Sequence, residues 1–160
     1  MIVKDDTYFM KQALRRARAA AAQGEVPIGA VVVLNGEIIA SGRNMREAHK
    51  NALLHAEIVA IDRACKKLGR WRLHDCTLYV TMEPCPMCAG AIVNSRIKRV
   101  VYGCYDSKAG ALGTVFNLAD HPLNHKYEIT SGVMEKECAA ILSDFFSQLR
   151  KRPKGNKNEN

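Results

Sequence analysis

The tripeptide His55-Ala56-Glu57 and the pentapeptide Pro84-Cys85-Pro86-Met87-Cys88 bring together the side chains of this sequence best suited to chemistry. One imidazole nitrogen and two thiolate sulfurs suit the borderline-soft Zn²⁺ ion, and three protein ligands leave a tetrahedral ion one position for water. Zinc held in this open manner lowers the pKa of its bound water to about 7, so hydroxide forms at neutral pH. Glu57 is not needed as a ligand and stands two residues from one, where a carboxylate can take the water's proton and deliver it elsewhere. The spacing assigns His55, Cys85 and Cys88 to a metal and Glu57 to catalysis. The competing reading is a closed zinc site that only holds the chain together; it needs a fourth Cys or His, for which Cys104 is the candidate.

Both segments are expected at the start of a helix. Apolar spacing of Ile58, Ile61, Ala64 and Cys65 gives a helix from about His55 to Leu68, closed by Gly69. Pro84-Cys85-Pro86 opens a second, running to about Ser95, because proline at the first helical position gives up an N–H that has no partner there. First turns present free N–H groups and the positive end of the helix dipole, which favours thiolates. His55 and Glu57 would diverge on a regular helix, but side chains at a helix mouth can converge on a point ahead of it.

Around these lie the elements that must hold them. Phe9, Ala13, Leu14 and Ala17 recur at helical spacing, with Arg15, Arg16 and Arg18 mostly opposite, so Tyr8 to Ala22 reads as an amphipathic helix ended by Gly24. Ile28 to Leu34, the Asn35-Gly36 turn and Glu37 to Ala40 read as a hairpin. Gly42 to Leu54 reads as a loop, Thr77 to Met82 as a buried strand, Lys98 to Tyr102 as a further strand and Asp106 to Gly113 as a glycine-interrupted loop. Tyr127 to Thr130 gives a short strand and Met134 to Lys151 a final amphipathic helix. That order implies an α/β sandwich with a mixed sheet, helices crossing between parallel strands.

At 160 residues and 48% hydrophobic, the chain fits one domain over residues 1–150, followed by a basic, flexible tail at 151–160. The opening residues lack an apolar signal core and the longest apolar runs, such as Ala30 to Leu34, fall far short of a membrane span, so a soluble cytoplasmic protein is expected. In that setting the six cysteines are thiols or ligands rather than a disulfide framework. Cys65, Cys76, Cys104 and Cys138 read as small packing or surface thiols. The net charge of +8 favours polyanionic partners, although the stretch from Arg150 to Asn160 also reads as a solvated segment that aids solubility.

The H-x-E and P-C-x-x-C pairing at His55 and Pro84 resembles the signature of zinc-dependent nucleobase deaminases. Glu25 to Ala30, Gly42-Arg43-Asn44, Thr77 to Ile92, Asn94 to Ile97 and Ser143 to Phe146 are similar to the bacterial tRNA-specific adenosine deaminases over roughly residues 5 to 150. This resemblance implies a cytidine-deaminase-like three-layer sandwich with a five-stranded mixed sheet, one Zn²⁺ per subunit and a homodimer. It also implies hydrolytic conversion of the wobble adenosine of an arginine tRNA anticodon to inosine, with hydroxide generated at zinc attacking C6 and Glu57 shuttling protons.

Carried over by motif, Asn44 holds the ribose or base of the flipped nucleotide, and Val26 and Pro27 wall its pocket. Asp106 and Lys108 meet neighbouring anticodon nucleotides, while Asn124, Phe146 and Arg150 line the RNA path. Bland readings stand beside several of these. Asn44 can bond its own turn, Phe146 can pack in the core and Lys108 can be an ordinary loop cation. Glu83, just before Pro84, reads as an anchor of the metal loop. Where the family commonly has an Asp-Pro-Thr-like stretch before the histidine, this chain has Lys50-Asn51-Ala52-Leu53-Leu54, which bears on substrate preference. The alternative function is a zinc deaminase of a free base, nucleoside or nucleotide of the cytosine, guanine or dCMP type. A non-catalytic RNA-binding or partner subunit with a structural zinc is the third reading.

Overall fold

The computed structural model describes residues 2–152. Five strands form one sheet in the order β2-β1-β3-β4-β5: β1 Gly29–Leu34, β2 Glu37–Arg43, β3 Thr77–Met82, β4 Arg99–Cys104 and β5 Glu128–Thr130. β1 pairs antiparallel with β2 and β3, whereas β3, β4 and β5 run parallel. The expected mixed sheet is therefore present, and its parallel half places the ends of β3 and β4 side by side, Met82 opposite Cys104.

Alternation along the strands sorts the core into two halves. Ala30, Val32, Leu78, Val80, Val100 and Tyr102 face one way and pack with helix α3 (Ala56–Leu68) and helix α4 (Pro86–Ser95). Val31, Val33, Tyr79 and Val101 face the other way, against helix α1 (Asp6–Ala22) and helix α5 (Glu135–Lys151). Each layer buries the apolar stripe of its helices on one sheet face, giving a three-layer sandwich. Asp5 caps α1 by accepting a hydrogen bond from the Tyr8 N–H at 2.9 Å.

The hairpin is as expected, with Asn35 and Gly36 at φ 50° and 75°, the left-handed pair that a tight two-residue turn requires. Strand β2 runs on to Arg43 rather than stopping at Ala40, because Ser41, Gly42 and Arg43 find partners along β1. Strand β4 likewise extends to Cys104, paired with Met82. The expected loop from Gly42 to Leu54 thus begins as strand, and it also contains a one-turn helix, α2 (Arg46–His49).

The buried face of α3 is Ala56, Val59, Ala60, Ile61 and Ala64; Ile58 and Cys65, expected in the stripe, are only half-buried. Alanines at this spacing let the helix lie close on the sheet. Gly42 completes the fit, since a Cβ there would overlap the Ala56 carbonyl and crowd the Ala60 nitrogen. Close approach of β2 and the first turn of α3 brings His55 to the sheet end.

Cys76, Cys104 and Cys138 are buried and Cys65 is half-buried, as packing thiols. Lys151 belongs to α5, so the expected tail does not begin there; Pro153 to Asn160 lie outside the described residues. Among the described residues no helix is long and apolar enough to cross a membrane.

Candidate active site

The site forms where the chain leaving β2 and the chain leaving β3 each enter a helix. Strand β3 leads through Glu83 and Pro84 into α4, with Cys85 at its N-cap and Cys88 in its first turn. Helix α3 presents His55 at its own N-cap. The Nδ1 atom of His55 stands 3.5 Å from the Cys85 sulfur and 3.6 Å from the Cys88 sulfur. Tetrahedral zinc with Zn–S about 2.3 Å and Zn–N about 2.0 Å requires N-to-S separations of about 3.5 Å, so both N-to-S distances suit that ion. All three ligand atoms lie within 4.8 Å of one another, and among the described residues no further His, Cys, Asp or Glu joins the group. Cys104, the candidate fourth ligand, packs with Cys138 and Val101 on the opposite face of the sheet.

Glu57 occupies the first turn of α3 and is 4% exposed. Burial pushes its carboxyl above the usual range, the direction expected of a group that must exchange protons near neutrality. A hydrogen bond from Cys88, reinforced by one from His55, draws the Cys85 thiol down to about 4. Cys88 shifts upward as the donor of that bond, with burial adding to it. The Cys85 partner raises His55 in turn. The cluster is thus already polarised toward a thiolate on Cys85.

A cavity of about 100 Å³ opens beside His55, lined by Val26, Ile28, Asn44, Arg46 and Ala56. It continues into two larger hollows. One, of about 330 Å³, runs past Arg46 to Phe145, Phe146 and Leu149; the other, of about 370 Å³, runs past Met82 to Tyr105, Asp106 and Lys108. Val26 borders all three, so the hollows are neighbours, and the smallest reaches the metal group through His55. Pro27 is buried and is not among the residues lining these three hollows.

The expected site residues divide by position. Asn44 is buried, with its side-chain oxygen accepting from the Arg46 N–H at 3.3 Å, so it both bonds its own turn and faces the cavity. Phe146 is 39% exposed and borders both hollows, which makes it a groove residue rather than a core one. Lys108 is exposed on the groove, while the Asp106 carboxylate accepts from the Lys108 and Ala109 N–H groups at 3.0 and 3.1 Å and so also shapes its loop. Arg150 is exposed in the last turn of α5, beside the groove residue Leu149. Asn124 is not brought to the group. It precedes His125, which bonds the Ile97 carbonyl at 2.6 Å, and this places it at the opposite end of β4.

Two positioning groups complete the site. Glu83 is 3% exposed, and its carboxylate accepts from the N–H groups of Asp106, Leu112 and Thr114 and from the Thr114 hydroxyl. It anchors the loop along one groove wall, and Gly110 must lack a side chain because a Cβ would overlap that carboxylate. Glu25 is 2% exposed and was given no role by its spacing. Its two oxygens accept from the Glu47 and Ala48 N–H groups, each at 2.9 Å, capping α2 and fixing the turn that holds Asn44 and Arg46. An acid between Gly24 and Val26 is a weak signal. Arg46 gave none, since only the fold brings it to the cavity.

The comparisons with known proteins agree with this geometry. The chain is 54% identical to the tRNA-specific adenosine deaminase of Bacillus subtilis over 150 residues, 93% of either chain. A solved structure from work on A-to-I editing by tRNA:A34 deaminases at the wobble position of transfer RNA superposes with a TM-score of 0.83 at 45% identity, covering 85% of this chain and 99% of that one. The guanine deaminase of Nitrosomonas europaea superposes with a TM-score of 0.77 at 25% identity, over 92% of this chain and 87% of that one. Residues 4–150 match the model of the MafB19-like deaminases, and the chain belongs to that family.

Proposed function

We propose that this protein hydrolyses adenosine to inosine at the wobble position of a tRNA anticodon. The observation that carries the reading is a buried carboxylate, Glu57, beside a three-ligand metal group whose His55 lines an open cavity. Likeness to the Bacillus subtilis tRNA-specific adenosine deaminase supports the choice of substrate. One Zn²⁺ per subunit, held by His55, Cys85 and Cys88, would supply Lewis-acid activation of the attacking water.

Glu57 takes the proton of that water as its oxygen adds to C6 of adenine, and passes it to ring N1. It then carries the second proton to the departing amine, so the C6–N bond breaks and ammonia leaves while inosine remains. Asn44, fixed by its turn, holds the ribose or base, and Val26 walls the cavity, with Pro27 next to it in the chain. Phe146 stacks on a neighbouring base, while Asp106, Lys108 and Arg150 meet the flanking nucleotides. A homodimer, and a place for Asn124 along the RNA path, follow the resemblance alone, since Asn124 lies at the far end of the sheet from this group. An arginine tRNA as substrate and the cytoplasm as compartment follow the resemblance described above.

The test is incubation of zinc-loaded protein with tRNA bearing an unmodified wobble adenosine, with free adenosine, guanine and cytidine in parallel. Inosine at that position is expected by nuclease digestion and chromatography. Its absence refutes the proposal. Faster turnover of a free base would instead favour the second reading, to which the likeness to guanine deaminase lends support. The Glu57→Gln variant should keep its metal, by elemental analysis, and lose at least about 10²-fold in kcat.

A further inference from the structure

Lys11, Arg15 and Arg18 are exposed on α1 and follow one another at intervals of four and three, which sets them in a single stripe along its outer face. None of them forms an ion pair among the described residues. No acidic side chain stands between Asp6 and Glu25 in the sequence. Like charges at this spacing repel and weaken a helix. Helix α3 carries a comparable set in Arg63, Lys66 and Lys67 but offsets it in part by pairing Asp62 with Lys66 at 2.9 Å, and α5 interleaves Glu135, Glu137 and Asp144 with its cations. On α1 no carboxylate beyond Asp6 offsets the repulsion, and an anion laid along the stripe would relieve it.

The stripe points at the groove. Helix α1 ends at Ala22 and the chain passes through Gly24 directly into Glu25 and Val26, which line it. Measured along the helix axis, Arg18 lies roughly 9 Å before Gly24 and Lys11 roughly 20 Å, the span of a few base pairs of an RNA stem. A membrane surface suits the stripe less well, because the exposed face carries no large apolar anchor among its arginines, Thr7 and Gln12.

We propose that Lys11, Arg15 and Arg18 form a docking rail for the phosphate backbone of the RNA stem that presents the reacting loop. The proposal rests on the RNA reading above and deepens it. The rail positions the stem without reading its sequence, since phosphate contacts carry no sequence information.

The experiment uses the full chain and a hairpin RNA with a wobble-type adenosine in its loop, measuring binding by fluorescence anisotropy across a salt series and, separately, kcat and KM. Glutamine at all three positions (K11Q/R15Q/R18Q) keeps helix propensity and removes charge. A slope of log K against log salt shallower by roughly 2, with KM raised on the order of tenfold and kcat and metal content unchanged, is the expected result. The paired variant K66Q/K67Q, on the exposed side of α3, should leave the slope as it is. An unchanged slope in the triple variant, or an equal loss in the α3 variant, overturns the rail. Failure of the deaminase reading looks different: the unaltered protein would bind the hairpin yet produce no inosine.

Discussion

His55 and Cys85 hold equivalent positions in two helices: each is the N-cap residue of its helix, and neither side chain bonds the first-turn amides it could cap. The two side chains instead face each other at 3.5 Å. A missing side-chain cap costs about 1 kcal/mol per helix, so both helix starts give up local stability to converge on a common point. Metal binding would offset that loss and tie α3 to α4. Chelation is therefore expected to unfold the protein earlier, not only to silence it. An ion present at about 1,000 times its Kd contributes roughly 4 kcal/mol, which corresponds to a fall in Tm of about 10 °C on its removal. Calorimetry before and after chelation, with zinc added back, checks this; an unchanged Tm would separate the ligands from the fold's stability.

Glu83 makes a different prediction, about the wall rather than the ion. Three backbone N–H groups and one hydroxyl converge on its carboxylate, and the Glu83→Gln variant turns one acceptor oxygen into a donor facing donors. Leaving buried donors unpaired costs roughly 2 to 3 kcal/mol. Because the same loop carries Asp106 and Lys108 along the groove, KM for the RNA should rise with the loss in stability. Urea denaturation gives the first quantity. Hydrogen exchange at the Leu112 and Thr114 amides shows whether the loop opens locally, as expected, before the rest of the chain.

The metal ligands and Glu57 were legible because metal chemistry restricts residue type and spacing together, so a short pattern carries three-dimensional meaning. The hairpin at Asn35-Gly36 was legible for a similar reason, both positions needing left-handed backbone. What escaped was decided by contacts distant in sequence. The extensions of β2 and β4 come from partner strands, not from their own composition. Glu25 and Arg46 gain their places only once a one-turn helix, too short to leave a periodic signal, folds back beside the cavity. The stripe on α3 holds at Ile61 and Ala64 but not at Ile58 and Cys65, because burial selected the small side chains Ala56 and Ala60 beside them, and close packing rewards fit as well as hydrophobicity.

Asp6 ties the start of α1 to the sheet and makes stability depend on acid. Its carboxylate receives two bonds from the Arg99 guanidinium, at 2.8 and 2.7 Å, and one from the Tyr79 hydroxyl at 2.7 Å. The Arg99 guanidinium, with Tyr79 assisting, holds the carboxyl below its ordinary value of 3.8 against the opposing effect of burial. A carboxyl depressed in the folded state binds fewer protons there than in the unfolded chain, so its contribution is complete above the unfolded value. That contribution drains away as pH falls from the unfolded value through the lower folded one. The Asp6→Asn variant should lose about 1 kcal/mol at neutral pH, given that the pair is only partly buried. Its stability should then fall less steeply than that of the unaltered chain below pH about 4. Urea midpoints at neutral pH and in the acid range compare the two proteins. Parallel lines down to the lowest pH would show that the Arg99 pair leaves the Asp6 carboxyl unshifted, whereas convergence is the outcome this geometry requires.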